Sequence, residues 1–305
     1  MEEKIKKILN EIGITEFGFC EIKYYKELEE ILNKQNNLNR KTNFQVGNTV
    51  DKTFNSSYFS DYKSALVILV PYTSGKEEKK SITEDDVYLS TCSWSEDYHL
   101  VINRILNKVK IFLEENGYKA KIFVDNNILD ERYLAYQAGL GYYGKNNLLF
   151  NDKYGSYFFI GVLFTDAVFK YGKKLNKKCL ECNLCINACP TKALSEDKIL
   201  NGKKCLSYLN QKKEVSLEEE KFFNNCIYGC DICQDVCPLN KYDNKKFFKY
   251  SKKEIIKLKD KNEFLEKFDK EFSNSSCSWR KKDLFERNIN LYVKNKKSVK
   301  TNIEN

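Results

Sequence analysis

The sequence lacks any long apolar run. A helix that crosses a bilayer needs about 20 consecutive apolar residues, and the longest runs here, such as Ala65 to Val70 and Tyr157 to Phe164, fall far short. The opening Met-Glu-Glu-Lys-Ile-Lys-Lys leads into no secretory h-region and no twin-arginine signal, so the expectation is a cytoplasmic protein with no membrane partner. No repeat of about 20 to 50 residues recurs, as it would in a solenoid or propeller. Histidine occurs once, at His99, and proline three times. Pro71 ends an apolar run, whereas Pro190 and Pro238 each follow a cysteine.

What is abundant is unevenly placed. The 305 residues include 52 Lys and Arg against 43 Asp and Glu, a formal net charge of +9. Residues Lys241 to Asn305 hold 19 basic and 10 acidic side chains and so carry the whole excess. Nine of the 12 cysteines lie between Cys179 and Cys237. At 42% hydrophobic and 14% aromatic, the chain can bury a substantial core, which excludes wholesale disorder and fits about two domains. In a reducing compartment, so dense a cysteine group points to metal rather than to disulfides.

Ile5, Ile8, Leu9 and Ile12 recur at helical spacing, and Val101, Ile105, Val109, Phe112 and Leu113 do the same within Asp97 to Glu115, with Gly117 as a stop. Ala65 to Val70 reads as a buried strand, Lys119 to Asp125 as a second that ends on a carboxylate, and Leu148 to Phe150 and Tyr157 to Phe164 as two more joined by the Asn151 to Ser156 turn. Residues 129 to 138 read as a helix running into Gly139, and 33 to 61 as a polar, Asn-rich stretch. The fold class is α+β. Expected domains are 1–168, then a ferredoxin-like segment over 169–243, then a basic segment over 244–305, helical in short pieces and disordered after Lys294.

Cys179, Cys182, Cys185 and Cys189 form C-x2-C-x2-C-x3-C before Pro190; Cys230, Cys233 and Cys237 form C-x2-C-x3-C before Pro238. The first run has the bacterial ferredoxin spacing, in which the fourth cysteine ligates the other cluster. By that logic Cys179, Cys182, Cys185 and Cys237 hold one 4Fe-4S cluster. Cys189, Cys230 and Cys233 hold a second, with Cys205 or Cys226 as fourth ligand. A zinc ribbon would use two C-x2-C pairs and leaves the third cysteine and the x3-C-P step unexplained. Cys20 and Cys277 read as ordinary buried thiols. Gly139, Gly141 and Gly144 satisfy G-x-G-x-x-G, but a helical stretch runs in and short strands follow, the reverse of a dinucleotide loop. The near P-loop match fails at Asn146, where a magnesium-binding hydroxyl belongs. These glycines would let the backbone approach some other flat, bulky ligand.

Several segments together resemble the tRNA epoxyqueuosine reductases, corrinoid iron–sulfur enzymes of the last step of queuosine synthesis. They are Cys92-Ser-Trp-Ser-Glu-Asp97-Tyr98-His99; Val124-Asp125 through Glu131-Arg132; Ala138-Gly-Leu-Gly-Tyr-Tyr-Gly-Lys-Asn-Asn147; Cys189-Pro-Thr-Lys-Ala; Cys205-Leu-Ser-Tyr-Leu; and Gly229-Cys-Asp-Ile-Cys-Gln-Asp-Val-Cys-Pro238. The resemblance implies a cobalamin-binding α/β sandwich-type domain and reduction of epoxyqueuosine at the wobble position of tRNAs for Asp, Asn, His and Tyr. It assigns the fourth cluster ligand to Cys205. It implies cob(II)alamin contacts at Lys52, where the family has arginine, and at Cys92, Asp125, Leu149, Ile160, Ser207 and Asp231.

In the family the aspartate matching Asp125 faces cobalt and donates a proton; burial beside a corrin would raise its pKa towards the working pH. His99 looks like a lower cobalt ligand, but the family binds its cofactor base-off, which leaves His99 a structural hydrogen-bonding role. Glu131 and Arg132 read as a solvated or structural ion pair. Many members carry a C-terminal helical-repeat domain; this sequence reads as a short form ending in the basic segment. That segment suits a polyanionic tRNA, and Phe247, Phe248, Tyr250 and Trp279 are candidates to stack on an anticodon base. An external low-potential electron donor and a monomer are expected. The alternatives are a corrinoid reductive dehalogenase-like enzyme and a non-catalytic ferredoxin-like electron carrier.

Overall fold

The computed structural model describes residues 1–54, 57–241, 243, 247–249 and 255–301. Its strands are β1 (Phe17–Glu21), β2 (Ser64–Pro71), β3 (Asp86–Leu89), β4 (Ala120–Phe123), β5 (Tyr142–Tyr143), β6 (Leu149–Phe150), β7 (Phe158–Thr165), β8 (Cys226–Tyr228) and β9 (Ile255–Lys257). An antiparallel sheet of order β1-β2-β7-β4 forms the centre of the N-terminal half. Every residue of β2 is buried, because side chains alternate across a strand and both faces of this sheet are covered. Ala65, Val67 and Leu69 meet Leu28 and Leu32 of the Lys26–Asn37 helix and Tyr133 and Leu134 of the Glu131–Gln137 helix. Leu66, Ile68 and Val70 meet Ile5 and Leu9 of the Glu2–Ile12 helix and Ile102 and Leu106 of the Tyr98–Glu115 helix. A Cβ at Gly161 would come within 2.3 Å of Ile102, so this glycine sets how closely the long helix approaches β7.

The expected helices and strands of this half are present at nearly the expected bounds. Several elements were not anticipated, among them β1, β3, β5 and the Lys26–Asn37 helix. β1 is five residues with no clean alternation, and the Lys26–Asn37 helix is so polar that its burial rests on Leu28 and Leu32. The Asn151 to Ser156 turn does join two strands, but they serve different sheets: β6 pairs with β5, and β7 crosses to the main sheet.

The basic C-terminal segment differs from expectation. β9 pairs antiparallel with β3, whose other neighbour is β8 in parallel, so one small sheet draws a strand from each of the three expected domains. Val87, Trp94, Ile227, Ile256, Phe264, Phe268, Phe285 and Ile289 form its core. Charge counting hid this, because phenylalanines spaced along the Lys261–Glu271 helix face inward while the lysines face water. The final helix runs from Lys282 to Thr301, so the stretch from Lys294 is helical rather than disordered as far as Thr301. Residues 302–305 and Tyr250 lie outside the described residues.

Candidate functional site

The cysteines separate into two quartets. Cys179, Cys182, Cys185 and Cys237 line one small cavity, closed by Phe150, Leu184 and Pro238. Cys189, Cys205, Cys230 and Cys233 are neighbours in a second group. Backbone amides supply what the sulfurs need: Ala193 N donates to Cys189 Sγ at 3.3 Å, and amides of Ser207 and Tyr208 face Cys205, of Ile232 Cys230, and of Leu239 Cys237. Burial pushes the Cys205, Cys230 and Cys233 thiols up, a cost that iron would reverse by binding them as thiolates. Among the described residues no three His, Cys, Asp or Glu side chains converge as round a single ion. Four cysteine thiols in each quartet are the donor set that an iron–sulfur cubane takes. Cys226 instead directs its thiol to the carbonyls of Tyr228 and Gly229. Cys20 and Cys277 are buried, their thiols pushed up to about 12 mainly by desolvation.

Beside the second quartet a cleft opens between the main sheet and the C-terminal half. Two cavities of about 320 and 720 Å³ share Phe44, Tyr98, Asp125, Asn126 and Phe159. Lys52, Glu131 and Ile160 line the first; Cys92, His99, Gln211, Tyr228 and Trp279 line the second. Asp125 follows β4 and stands exposed at the rim with φ of 43°; Asn126 follows at 47°, two consecutive left-handed residues that are not glycine. The Tyr98 hydroxyl donates to Asp125 Oδ2, and Asp125 N donates to Glu131 Oε1 at 2.8 Å.

Asp97 caps the Tyr98–Glu115 helix by accepting from His99 N at 3.0 Å, and its Oδ1 also lies 2.7 Å from His99 Nδ1. Asn126 Nδ2 lies 3.1 Å from His99 Nε2. Burial disfavours the imidazolium, but the Asp97 hydrogen bond and nearby carboxylates outweigh it and raise the His99 pKa. Both ring nitrogens are thus engaged, in keeping with the hydrogen-bonding role expected of this residue.

Of the residues expected to touch a cofactor, Lys52, Cys92, Asp125 and Ile160 line the cleft. Lys52 is 8% exposed, donates to Leu129 O at 3.4 Å, and has its pKa lowered by burial. Leu149, Ser207 and Asp231 line neither cavity. Leu149, on β6, packs in the core of the main sheet, and Ser207 accepts from the cleft residue Gln211 through its carbonyl and hydroxyl oxygens. Asp231 accepts from Ser90 Oγ, Thr91 N and Lys79 Nζ, so it pins the chain just before Cys92 to the cysteine-rich half.

The expected Glu131–Arg132 pair does not form: Arg132 donates to Asn147 O at 2.7 Å, while Glu131 accepts from Asp125 N and Asn127 Nδ2. The glycine motif also has another purpose. A Cβ at Gly139 or Gly141 would strike the carbonyls of Lys173 or Phe150 at 2.5 Å, so these positions serve close packing of the chain on itself. Phe248 is buried against Phe159, whereas Trp279 remains 52% exposed. Sequence reasoning missed Phe44, Asn127, Phe159 and Gln211, which reach the cleft from four separate segments and belong to no cysteine or glycine pattern.

A family model described as epoxyqueuosine reductase QueG matches residues 55–126, and one described as a 4Fe-4S double cluster binding domain matches residues 178–240. An epoxyqueuosine reductase of Lactococcus garvieae is 33% identical over 95% of this chain and 85% of its own length; one of Cyclobacterium marinum is 32% identical over 96% and 97%. A solved epoxyqueuosine reductase bound to an epoxyqueuosine-modified tRNA-Tyr stem loop superimposes with a TM-score of 0.89 at 27% identity, covering 96% of this chain and 81% of that one. Another, from Bacillus subtilis with its catalytic aspartate loop swung out of the active site, gives 0.88 at 26% identity, over the same shares of the two chains. A catabolic reductive dehalogenase shares the fold at a TM-score of 0.53 and 18% identity, over 79% of this chain and 32% of its own.

Proposed function

The chain belongs to the epoxyqueuosine reductase family, a family of oxidoreductases, and on that premise we propose that it reduces epoxyqueuosine to queuosine at the wobble position of tRNA. The observation that carries this reading is the cleft itself, in which Asp125, Tyr98 and Cys92 meet beside the second of two cysteine quartets. We assign Cys179, Cys182, Cys185 and Cys237 to one 4Fe-4S cluster and Cys189, Cys205, Cys230 and Cys233 to the other. Exposed Cys182 makes the first quartet the entry for electrons from an external low-potential donor. The second quartet adjoins the cleft through Ser207 and Gln211 and through Asp231 and Ser90.

The cleft suits a cobalamin: Phe44, Phe159 and Ile160 offer apolar faces, and Asn126, Asn127, Gln45 and Gln211 offer amides to the polar rim of a corrin. Lys52, Cys92, Asp125 and Ile160 would be among its contacts. Bound there, cobalamin would supply a metal centre that takes electrons singly and passes two of them to carbon. Overall, the epoxide takes up two electrons and two protons, its oxygen leaves as water, and a carbon–carbon double bond remains. Asp125 delivers a proton to the departing oxygen, a contribution typically worth ~10²- to 10⁴-fold. The Tyr98 hydroxyl fixes the direction of that carboxyl, and exposure at the rim lets water reload it. Trp279, with its indole held by Tyr228 Oη at 2.8 Å and Arg280 stacked 3.6 Å from its ring centre, is placed to receive an anticodon base at the cleft mouth.

Metal analysis of anaerobically reconstituted protein tests this assignment. About eight irons per chain with stoichiometric cobalamin is expected for two cubanes and one corrinoid; absence of cobalamin affinity would overturn it.

A further inference from the structure

Glu131 takes no part in the chemistry just outlined, yet it sits directly beneath the residue that does. Its Oε1 accepts from Asp125 N at 2.8 Å and from Asn127 Nδ2 at 2.8 Å. The same Asn127 amide donates to Asp125 O at 2.9 Å, and Asn127 Oδ1 accepts from Leu129 N at 2.8 Å. The four groups make a closed hydrogen-bonded network around a turn whose first two residues, Asp125 and Asn126, have left-handed φ of 43° and 47°. Such a backbone persists only where its surroundings hold it. The Asp125 side chain has its own tie, to Tyr98 on another helix. Side chain and main chain of Asp125 are therefore held separately.

We propose that Glu131 is a positioning residue that clamps the Asp125 turn into the cleft, so that the proton-donating carboxyl is presented to the substrate. The proposal rests on the assigned reaction. Desolvation raises the Glu131 pKa to about 8, although hydrogen bonds from Asn127 and Asp125 oppose it. A largely desolvated carboxyl is thus kept, at a cost to the fold, where an apolar residue would pack more cheaply. A Glu in the first turn of a helix behind the Asp130 cap also favours that helix, and a purely helical role would be served equally well without the Asp125 contact. That a Bacillus subtilis relative was solved with its catalytic aspartate loop swung out supports a turn that needs holding.

The test compares wild type, Glu131→Gln, Glu131→Ala and Asn127→Ala in two measurements. Hydrogen exchange over residues 124–128 without cofactor reads the clamp directly: Glu131→Ala and Asn127→Ala should exchange faster by roughly 10-fold or more, the consequence of the lost hydrogen bonds to the turn, while Glu131→Gln, which keeps the acceptor oxygen, should stay near wild type. Turnover of an epoxyqueuosine-containing stem loop by the reconstituted enzyme should show kcat falling by roughly 10-fold or more in the alanine variants at nearly unchanged KM, with rescue in Glu131→Gln. Should Glu131→Ala fail to fold, Asn127→Ala carries the comparison. Unchanged exchange, or equal loss of kcat in Glu131→Gln and Glu131→Ala, overturns the clamp. If wild type itself does not turn over, the assigned reaction fails instead, and the exchange measurement still judges the clamp.

Discussion

Asp231→Ala should loosen the junction between the two halves of the molecule. The Asp231 carboxyl is 2% exposed and accepts from Ser90 Oγ at 2.6 Å, Thr91 N at 2.8 Å and Lys79 Nζ at 2.8 Å. Removing one partner of a buried ion pair typically costs ~3–5 kcal/mol. Lys79 would not be stranded, however, because Asp235 Oδ1 also lies 2.8 Å from its Nζ, on a side chain that is 35% exposed. The loss that remains is mainly two charge-assisted hydrogen bonds to Ser90 and Thr91, so we expect about 3 kcal/mol. Asp231→Asn, which keeps an acceptor but no charge, should lose about half as much. Anaerobic denaturant unfolding of the reconstituted protein, followed by fluorescence and by cluster absorbance, measures both. A double-mutant cycle with Lys79→Met should give a coupling of about 1 kcal/mol or more. If Asp231→Ala unfolds within about 0.5 kcal/mol of wild type, the normal range for featureless surface changes, the tether has been misread.

Other consequences follow from the same geometry. Cys205→Ser should lose about half the iron and Cys226→Ser almost none, since only Cys205 joins the second quartet; equal losses in iron and absorbance assays would reverse that assignment. Glu131→Gln should be more stable than wild type at alkaline pH. The unfolded carboxyl ionises near its ordinary 4.5 and the folded one near 8, so wild-type stability is greatest below the former, falls between the two values and is level above the latter. The ceiling on that loss is ~5 kcal/mol, read from melting curves between acid and alkaline pH, and a pH-independent difference would contradict it. Trp279→Ala should weaken stem-loop affinity by roughly 10-fold with kcat retained, as loss of one stacking surface predicts; unchanged affinity in a fluorescence titration would remove the indole from the tRNA contact.

Residues whose chemistry depends on short spacing are legible in the sequence alone. C-x2-C-x2-C-x3-C-P needs no tertiary knowledge to be read as a cluster ligand run, and the apolar run at β2 announces a doubly covered strand. The fourth ligand was not legible from spacing, because Cys205 and Cys226 are both plausible along the chain and only folding carries Cys226 into a strand. What Asp231 does in the fold was equally hidden: the resemblance implies a cofactor contact there, whereas its bonds to Ser90, Thr91 and Lys79 join segments far apart in the chain. The C-terminal segment misleads through composition, since its lysines dominate the count while Phe264, Phe268 and Phe285 build a core with strands from far upstream. Glu131 was read from sequence as the partner of Arg132, and its real contact was not legible, because that contact is with a backbone amide.

Anaerobic turnover of a stem loop carrying epoxyqueuosine, by protein reconstituted with iron, sulfide and cobalamin and supplied with a low-potential reductant, addresses the central claim most directly. The account predicts a product lighter by one oxygen and chromatographically identical to queuosine, with Asp125→Asn slower by ~10²- to 10⁴-fold. No conversion by a protein that carries its full complement of iron and cobalt, or an Asp125→Asn variant as fast as wild type, would contradict it.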